Sequence, residues 1–327
     1  MKRKRRIKKS HLVLVLVSLI CSLAMGIYLV NQVIRIDGFK SETNNVKAMF
    51  HSEFQNDAYN EKSLMMTDCS NKDVYILKNE NEKQIPASLA KLYVIEYATQ
   101  LANLDSIVLA DNDVLSLIKP GSSTAGIEAK EYYLQNLFAA MLVPSGNDAA
   151  YVVADYCGGI LFPEMKPGQE RIDLFMERLN EHLKDCGYRN TVIHDPSGFD
   201  SESQTTAMDL NNVVNVLIKF QWFRNIISQS EYTAELPDGT VKVWQNTNAY
   251  LDITSEYYNE NVIGVKTGSL NGNYNLIVLY QIYGKEFLII SLGSQSDSSR
   301  YDDVSYILNK IDNDSAIRNI KSVIATN

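Results

Sequence analysis

The pattern of hydrophobic and polar positions divides this chain into segments of different character. Leu12 to Val30 is an uncharged apolar run of nineteen residues, long enough to cross a membrane as one helix. Residues 31–62 are polar and mixed, and we interpret them as a juxtamembrane spacer. Regular periodicity then predicts a compact domain over 63–311, and a polar tail follows at 312–327.

Within the compact domain, strand-like alternation lies at both ends and helical periodicity fills the middle. The predicted strands are Ser63–Thr67, Asp73–Leu77, Val241–Trp244, Val262–Lys266, Tyr274–Tyr283 and Glu286–Leu292. The predicted helices are Ser88–Asn103, Tyr132–Leu142, Asp148–Tyr156, Arg171–Asp185, Ala207–Phe220 and Arg300–Ile311. This order predicts one α+β domain, in which helices flank a mostly antiparallel sheet and also form a helical subdomain.

Charge is distributed unevenly along the 327 residues. Seven of the first nine residues are Lys or Arg, although the whole chain carries a net charge of −8. The remainder is therefore acidic, which argues against a nucleic-acid partner. The basic residues 1–11 beside the apolar run predict a cytoplasmic N-terminus, a single-pass anchor in the cell membrane and a domain on the extracytoplasmic face. Cleavage after Ala24 would instead give a secreted form, but the apolar run continues to Val30 and favours an uncleaved anchor.

Cysteine and histidine give weaker indications. Cys157 and Cys186 stand at the ends of predicted helices, where a disulfide and two free thiols are both compatible with the sequence. The four histidines are scattered without the spacing of metal ligands. We therefore expect no metal and no cofactor.

The first of three short motifs that carry chemistry is Ser88-Leu89-Ala90-Lys91. On a helix, the i, i+3 spacing brings the hydroxyl and the amine together on one face. A lysine removes a proton only when it is neutral, so its pKa must fall from near 10.4. Burial and a second cation, for which Lys266 is the candidate, would both lower it. In isolation the motif is also typical of an exposed helix start that Ser88 caps.

The second motif, Ser145-Gly146-Asn147, forms a turn between two predicted helices. Ser145 could relay a proton between Lys91 and a leaving amine, and Asn147 could hold a carbonyl of the substrate. Simple helix capping is the alternative interpretation.

The third motif, Lys266-Thr267-Gly268, follows a predicted strand. An edge strand can pair with an extended peptide, Lys266 and Thr267 would then engage a carboxylate, and Gly268 permits close approach of the backbone. The N–H groups of Ser88 and Ser269 would form an oxyanion hole. An ordinary turn after a strand is the alternative interpretation.

Six landmarks in order carry a family resemblance: Ile85–Lys91, Gly121–Gly126, Ser145–Ala150, Asp195–Gly198, Asn246–Asn248 and Gly264–Gly268. Over about residues 63–311 the chain resembles the penicillin-recognising serine D-Ala-D-Ala carboxypeptidases, the low-molecular-mass penicillin-binding proteins. The resemblance implies a serine acyl-enzyme that acts on peptidoglycan stem peptides ending in D-Ala-D-Ala and is acylated by β-lactams.

The resemblance also implies roles for individual residues. Ser88 would attack the penultimate carbonyl, Lys91 would act as its base, and Ser145 would pass the proton to the departing D-alanine. Arg300 stands where the family often has a carboxylate-binding arginine, although an exposed charge at a helix start is an equal alternative.

Three alternative functions remain open at this point. A class A-like β-lactamase would need a carboxylate to activate water, for which Glu164, Glu170 and Glu202 are available. A non-catalytic β-lactam-sensing or peptidoglycan-binding protein would keep the pocket without turnover. A transpeptidase would share the acyl-enzyme half-reaction.

Overall fold

A computed structural model of the chain describes residues 59–313. The basic tail, the predicted anchor at residues 12–30 and nearly all of the spacer lie outside the described residues, as do residues 314–327. No helix between residues 59 and 313 is long and apolar enough to cross a membrane. The anchor therefore stays a prediction.

Residues 59–313 form nine strands and eight α-helices. Its strands are β1 (Ser63–Asp68), β2 (Val74–Lys78), β3 (Ile107–Leu109), β4 (Glu131–Tyr133), β5 (Glu231–Glu235), β6 (Val241–Gln245), β7 (Val262–Leu270), β8 (Asn273–Ile282) and β9 (Lys285–Ser294). Its helices are α1 (Ala90–Leu101), α2 (Asn112–Leu115), α3 (Leu134–Leu142), α4 (Asn147–Leu161), α5 (Gln169–Asp185), α6 (Ala207–Leu217), α7 (Gln221–Ile227) and α8 (Asp297–Asn313). Short 3₁₀ turns span Ala87–Leu89 and Ala249–Leu251.

The main sheet has five antiparallel strands in the order β2-β1-β9-β8-β7. Ser63 in β1 lies opposite Leu292 in β9, so strands from the two ends of the domain are neighbours. β8 and β9 form a hairpin whose turn residues, Tyr283 and Gly284, both have positive φ, as tight hairpin turns require. β7 lies at the edge of this sheet.

Both faces of the sheet are buried, which explains why its inner strands are almost continuously apolar. Alternate residues of β9 belong to different cores because successive side chains of a strand point to opposite faces. Leu288 and Ile290 belong to the core that includes the helices of the middle segment. Phe287 and Ile289 belong to the core that includes the C-terminal helix α8.

Helix α1 lies at the centre of the helical layer. All residues from Ala90 to Glu96 are buried, so this part of the helix is enclosed on every side. A helix that is apolar nearly all round is suited to such a position. The consequence is that Lys91, in the first turn, is also buried.

The predicted α+β architecture is confirmed, and several local predictions need correction. The short strands β3, β4 and β5 were not predicted, and the helix expected over Ala207–Phe220 ends at Leu217 before α7 begins. Lys266–Gly268 is not followed by a turn, because β7 continues to Leu270 and the chain turns at Asn271 and Gly272.

The cysteines of the described region form no disulfide. Cys69, Cys157 and Cys186 are free thiols, so of the two possibilities for Cys157 and Cys186 the structure has the unpaired one. Cys157 lies inside α4 and is fully buried, whereas Cys186 caps the end of α5 and is exposed.

Candidate active site

The nucleophile segment is a strained turn that leads into α1. Ala87–Leu89 forms one 3₁₀ turn, and α1 begins at Ala90. Ala87 has φ of 49°, a left-handed conformation that is costly for a residue with a Cβ atom. Ser88 is partly exposed, whereas Ala87 and Leu89 are buried. The turn therefore leaves Ser88 accessible between two buried neighbours.

Lys91 is the centre of the site. Its Nζ lies 2.8 Å from Ser88 Oγ, 2.8 Å from Asn147 Oδ1 and 2.9 Å from the Ser197 carbonyl oxygen. These three partners use all three donors of an ammonium group. They also bring together three segments that are far apart in the sequence.

Burial lowers the pKa of Lys91 to about 7 because a charged amine is costly where water is excluded. The charges of Asp195 and Asp148 act in the opposite direction and limit the fall. The sequence predicts a contribution from a second cation, Lys266, but burial is the main cause of the lower pKa. The pKa of Lys91 is thus close to neutral pH, where a general base works best.

Two buried carboxylates hold the segments around Lys91. Asp195 accepts hydrogen bonds from the backbone N–H groups of Ser197 and Asp200, at 2.9 and 2.7 Å. Asp148 accepts from the backbone N–H groups of Ala125 and Ile127, both at 2.9 Å. In the sequence, the two aspartates belong to the landmarks Ser145–Ala150 and Asp195–Gly198, with no separate indication of this role. Their contacts indicate that they fix the loops that line the site.

The Asp195–Gly198 segment contacts the nucleophile turn directly. Gly198 has φ of 79°, and a Cβ atom built there would lie 1.8 Å from the carbonyl oxygen of Ala87. Only glycine fits this approach. The segment thereby brings the Ser197 carbonyl to the Lys91 ammonium.

The turn Ser145-Gly146 lies between α3 and α4, and Asn147 begins α4. Asn147 is buried and its side chain reaches Lys91, so it does more than cap a helix. Ser145 is also buried and has φ of 64°. Within the described residues, the Ser145 hydroxyl makes no hydrogen bond to Ser88 or Lys91, so its relay role stays a prediction.

The third motif lies within the edge strand β7. Lys266 is buried and its Nζ donates to the Thr267 carbonyl at 2.9 Å. Burial holds the pKa of Lys266 well below its usual value, and the positive charges of Lys91 and Arg300 lower it further. Thr267 Oγ1 lies 2.7 Å from Thr247 Oγ1, which links β7 to the Asn246–Asn248 landmark.

Gly268 brings β7 against the nucleophile turn. A Cβ atom built on Gly268 would lie 3.0 Å from the Pro86 carbonyl oxygen and 3.3 Å from the backbone nitrogen of Ser88. The glycine therefore allows the two segments to approach closely. This proximity agrees with the expectation that Ser88 and Ser269 supply neighbouring N–H groups.

Arg300 is buried in the first turn of α8 and is not an exposed charge at a helix start. Its guanidinium donates to Ser269 Oγ at 3.0 Å and to the Asn275 carbonyl at 3.2 Å, and it forms an ion pair with Asp297. Arg300 Nε has no hydrogen-bond partner among the described residues. The arginine thus supports the end of β7 from the side of α8.

Asn275 is a structural link that the sequence analysis missed. Its side-chain amide donates to the carbonyls of Ile85 and Pro86, at 2.9 and 3.1 Å, and its Oδ1 accepts from the Gly293 N–H at 2.9 Å. Asn275 therefore ties the nucleophile segment to β8 and β9. Asn275 is fully buried, and a buried amide requires partners, but nothing in the local sequence indicates which partners these are.

The alternative groups make no hydrogen bond to the Ser88 hydroxyl among the described residues. Glu164, Glu170 and Glu202, the carboxylates considered for a β-lactamase, are all exposed. His194 is exposed, and His182 contacts Glu96 on another part of α1. In the part of the chain that the structure describes, Lys91 is the basic side chain bonded to the Ser88 hydroxyl.

Comparison with known proteins identifies the family. The model of the D-alanyl-D-alanine carboxypeptidases, peptidase family S11, matches residues 50–294, about three quarters of the chain. The chain belongs to this family. It is accordingly a serine hydrolase with serine DD-carboxypeptidase function.

Three curated members of the carboxypeptidase family are similar in sequence. A D-alanyl-D-alanine carboxypeptidase of Streptomyces sp. (strain K15) is 29% identical over 63% of this chain and 71% of that protein. DacF of Bacillus subtilis (strain 168) is 26% identical over 64% of this chain and 51% of that protein. DacD of Escherichia coli (strain K12) is 27% identical over 75% of this chain and 61% of that protein. The chain thus matches less than two thirds of the latter two proteins.

Solved structures support the fold. The crystal structure of the Streptomyces K15 DD-transpeptidase has a TM-score of 0.67 and 23% identity, covering 77% of this chain and 97% of that chain. A D-alanyl-D-alanine carboxypeptidase from Mycobacterium tuberculosis H37Rv has a TM-score of 0.64 and 20% identity, covering 77% and 91%. At these identities the likeness establishes a common α+β fold.

Proposed function

We propose that this protein removes the terminal D-alanine from peptidoglycan stem peptides through an ester on Ser88. The observation that carries the proposal is Lys91, a buried amine within 2.8 Å of the Ser88 hydroxyl whose pKa is lowered to about 7. A serine hydroxyl requires such a base before it can attack an amide.

The partners of Lys91 determine the direction of proton transfer. The Asn147 Oδ1 and the Ser197 carbonyl can only accept hydrogen bonds, whereas the Ser88 hydroxyl can also donate one. A neutral Lys91 donates its two N–H groups to the two acceptors and turns its lone pair toward Ser88. The neutral amine is therefore oriented to take the proton from the nucleophile.

In the proposed reaction, Ser88 Oγ bonds to the carbonyl carbon of the penultimate D-alanine while Lys91 takes the hydroxyl proton. The N–H groups of Ser88 and Ser269 stabilise the oxyanion. The C–N bond to the terminal D-alanine breaks, and the leaving nitrogen receives the proton through Ser145. Water then hydrolyses the ester, which releases the shortened peptide and restores Ser88.

The terminal carboxylate of the substrate is bound by cationic and hydroxyl groups, which are provided by Lys266, Thr267 and Arg300. Thr267 presents a hydroxyl already held by Thr247, at 2.7 Å. Arg300 acts through Ser269, with which its guanidinium shares a hydrogen bond of 3.0 Å. A β-lactam offers the same carboxylate and a strained amide, so it should acylate Ser88.

The β-lactamase alternative lacks support in the geometry. Rapid deacylation by that mechanism needs a carboxylate beside the ester. Glu164, Glu170 and Glu202 are exposed, and in the described part of the chain none of them is hydrogen-bonded to Ser88 or Lys91. Slow release of a bound β-lactam is therefore expected. We also propose that residues 12–30 anchor the enzyme in the cell membrane with its domain on the extracytoplasmic side, on the basis of the sequence pattern alone.

The test is to label the protein with a fluorescent penicillin and to follow a D-Ala-D-Ala pentapeptide by mass spectrometry. We expect label on Ser88 and loss of one alanine, and neither with Ser88→Ala. The matched control is Ser201→Ala, which changes an exposed serine. Label without product would favour a sensor, and rapid penicillin turnover without peptide cleavage would favour a β-lactamase. Retained activity of Ser88→Ala would refute the proposed mechanism.

A further inference from the structure

A second cluster of chemically active side chains lies away from Ser88, between helices α1 and α5. Glu96 belongs to α1, His182 to the last turn of α5, and Cys186 caps α5. His182 Nε2 lies 2.7 Å from Glu96 Oε2 and 3.4 Å from Cys186 Sγ. One ligand atom from each residue lies within 4.8 Å of the other two.

We propose that Glu96, His182 and Cys186 form a binding site for Zn²⁺, or for another thiophilic divalent cation, that connects α1 to α5. This proposal is independent of the proposed reaction at Ser88. His182 and Cys186 are four residues apart in the sequence, but Glu96, the third residue of the cluster, comes from a distant segment and is brought to them only by the fold.

The donor set suits zinc. Imidazole nitrogen, thiolate sulfur and carboxylate oxygen are its three common protein ligands, at about 2.0–2.3 Å from the metal. Tetrahedral coordination at those lengths separates ligand atoms by roughly 3.3–3.6 Å. The 3.4 Å distance from His182 Nε2 to Cys186 Sγ already fits, and the 2.7 Å distance to Glu96 Oε2 must open by less than about 1 Å.

Neighbouring groups hold the ligands in position. The His182 ring stacks on Tyr97, with ring centroids 4.6 Å apart. Gln100 donates to Glu96 Oε1 at 2.8 Å, which leaves Oε2 directed toward His182. Such outer contacts orient metal ligands and raise affinity. Cys186 is exposed, so the site has an entry path and room for water as a fourth ligand.

A bound ion would stabilise the helix that carries the nucleophile segment. Glu96 follows Lys91 by five residues, or about 7.5 Å along the helix axis. A metal that binds the folded protein and not the unfolded chain raises stability by mass action. We therefore expect Zn²⁺ to raise the melting temperature without any contact with Ser88.

The experiment titrates the metal-free full-length protein with Co²⁺ and Zn²⁺. Co²⁺ is a spectroscopic substitute for zinc, and a thiolate ligand gives it a charge-transfer absorption in the near ultraviolet. We expect one Co²⁺ per chain with this absorption, displacement by Zn²⁺, and a higher melting temperature with Zn²⁺.

Variants separate the proposed site from incidental binding. Cys186→Ser should abolish the charge-transfer band. Glu96→Gln should weaken Zn²⁺ binding by at least about tenfold, because loss of a residue that only orients a metal ligand already weakens binding by about that much. Cys69→Ser and His194→Ala are the matched controls and should leave binding unchanged. Circular dichroism of each metal-free variant checks folding. Absence of stoichiometric binding, or equal binding by Cys186→Ser, would overturn the proposal and leave the cluster as an ion pair between Glu96 and His182.

Discussion

The acylation rate should depend on pH through the ionisation of Lys91. The active form is the neutral amine, so the rate should rise as pH increases through about 7, the pKa of this residue. A lysine at the ordinary value of 10.5 would be neutral in only about 0.03% of molecules at pH 7, compared with about half of them here. Burial thus increases the available base by roughly a thousandfold, which corresponds to about 4 kcal/mol.

The assay is the second-order rate of labelling by a penicillin whose carboxylate is ionised throughout, measured from pH 5.5 to 9. Between pH 6 and pH 8 the neutral fraction of Lys91 rises about tenfold, and the labelling rate should follow it. Below pH 6 the logarithm of the rate should fall with a slope of one.

Glu61 provides the control, because burial raises its pKa to about 7 as well. It lies beside Ser291 on the sheet and makes no hydrogen bond to Lys91 within residues 59–313, so Glu61→Gln should leave the midpoint unchanged. A rate that is flat over this range, a midpoint above 9, or a midpoint that moves with Glu61→Gln would refute the reasoning.

Three substitutions test the packing around the nucleophile turn. Asn275→Leu leaves the Ile85 carbonyl and the Gly293 N–H without the partners that Asn275 provides, while the Pro86 carbonyl still accepts from the Leu89 N–H. The substitution should lower the free energy of unfolding by roughly 2–3 kcal/mol in urea melts. Ala87→Gly removes the strain of the left-handed backbone at residue 87. It should raise the free energy of unfolding by up to about 1 kcal/mol and slow penicillin labelling. A lower free energy of unfolding would contradict this prediction. Gly198→Ala places a Cβ atom against the Ala87 carbonyl, so both melting temperature and labelling rate should fall, and unchanged values would contradict the observed contact.

The sequence predicted many of the longer strands and helices well, because each of them depends on a local pattern of residues. Continuous apolar runs located β8 and β9, and helical periodicity located α5 within two residues at its start. The end of β7 was missed because Gly268 suggests a turn, whereas here it permits contact with the nucleophile segment. The three-residue strands β3 and β4 are too short to show a period.

The site shows the same division between local and distant information. The spacing of Ser88 and Lys91 is local, and it predicted their contact. The partners of Asn275 come from segments about 190 residues earlier and 18 residues later, and no local pattern specifies such contacts. The burial of Arg300 likewise depends on how α8 packs on the sheet. Tertiary packing therefore determines the contacts of Asn275 and the burial of Arg300, which the motifs alone do not specify.

The pairing of β1 with β9 also has a consequence for how the domain folds. Ser63 finds its partner, Leu292, only after more than 220 further residues have been added to the chain. Contacts between such distant positions slow folding, because a large loop must close before they contribute any stability. During synthesis the N-terminal part of the chain is made first. β1 and α1 are therefore exposed long before β9, the central strand of the sheet, is available. Acquisition of the nucleophile's final geometry is thus a late event, and the incomplete chain is the species most vulnerable to aggregation.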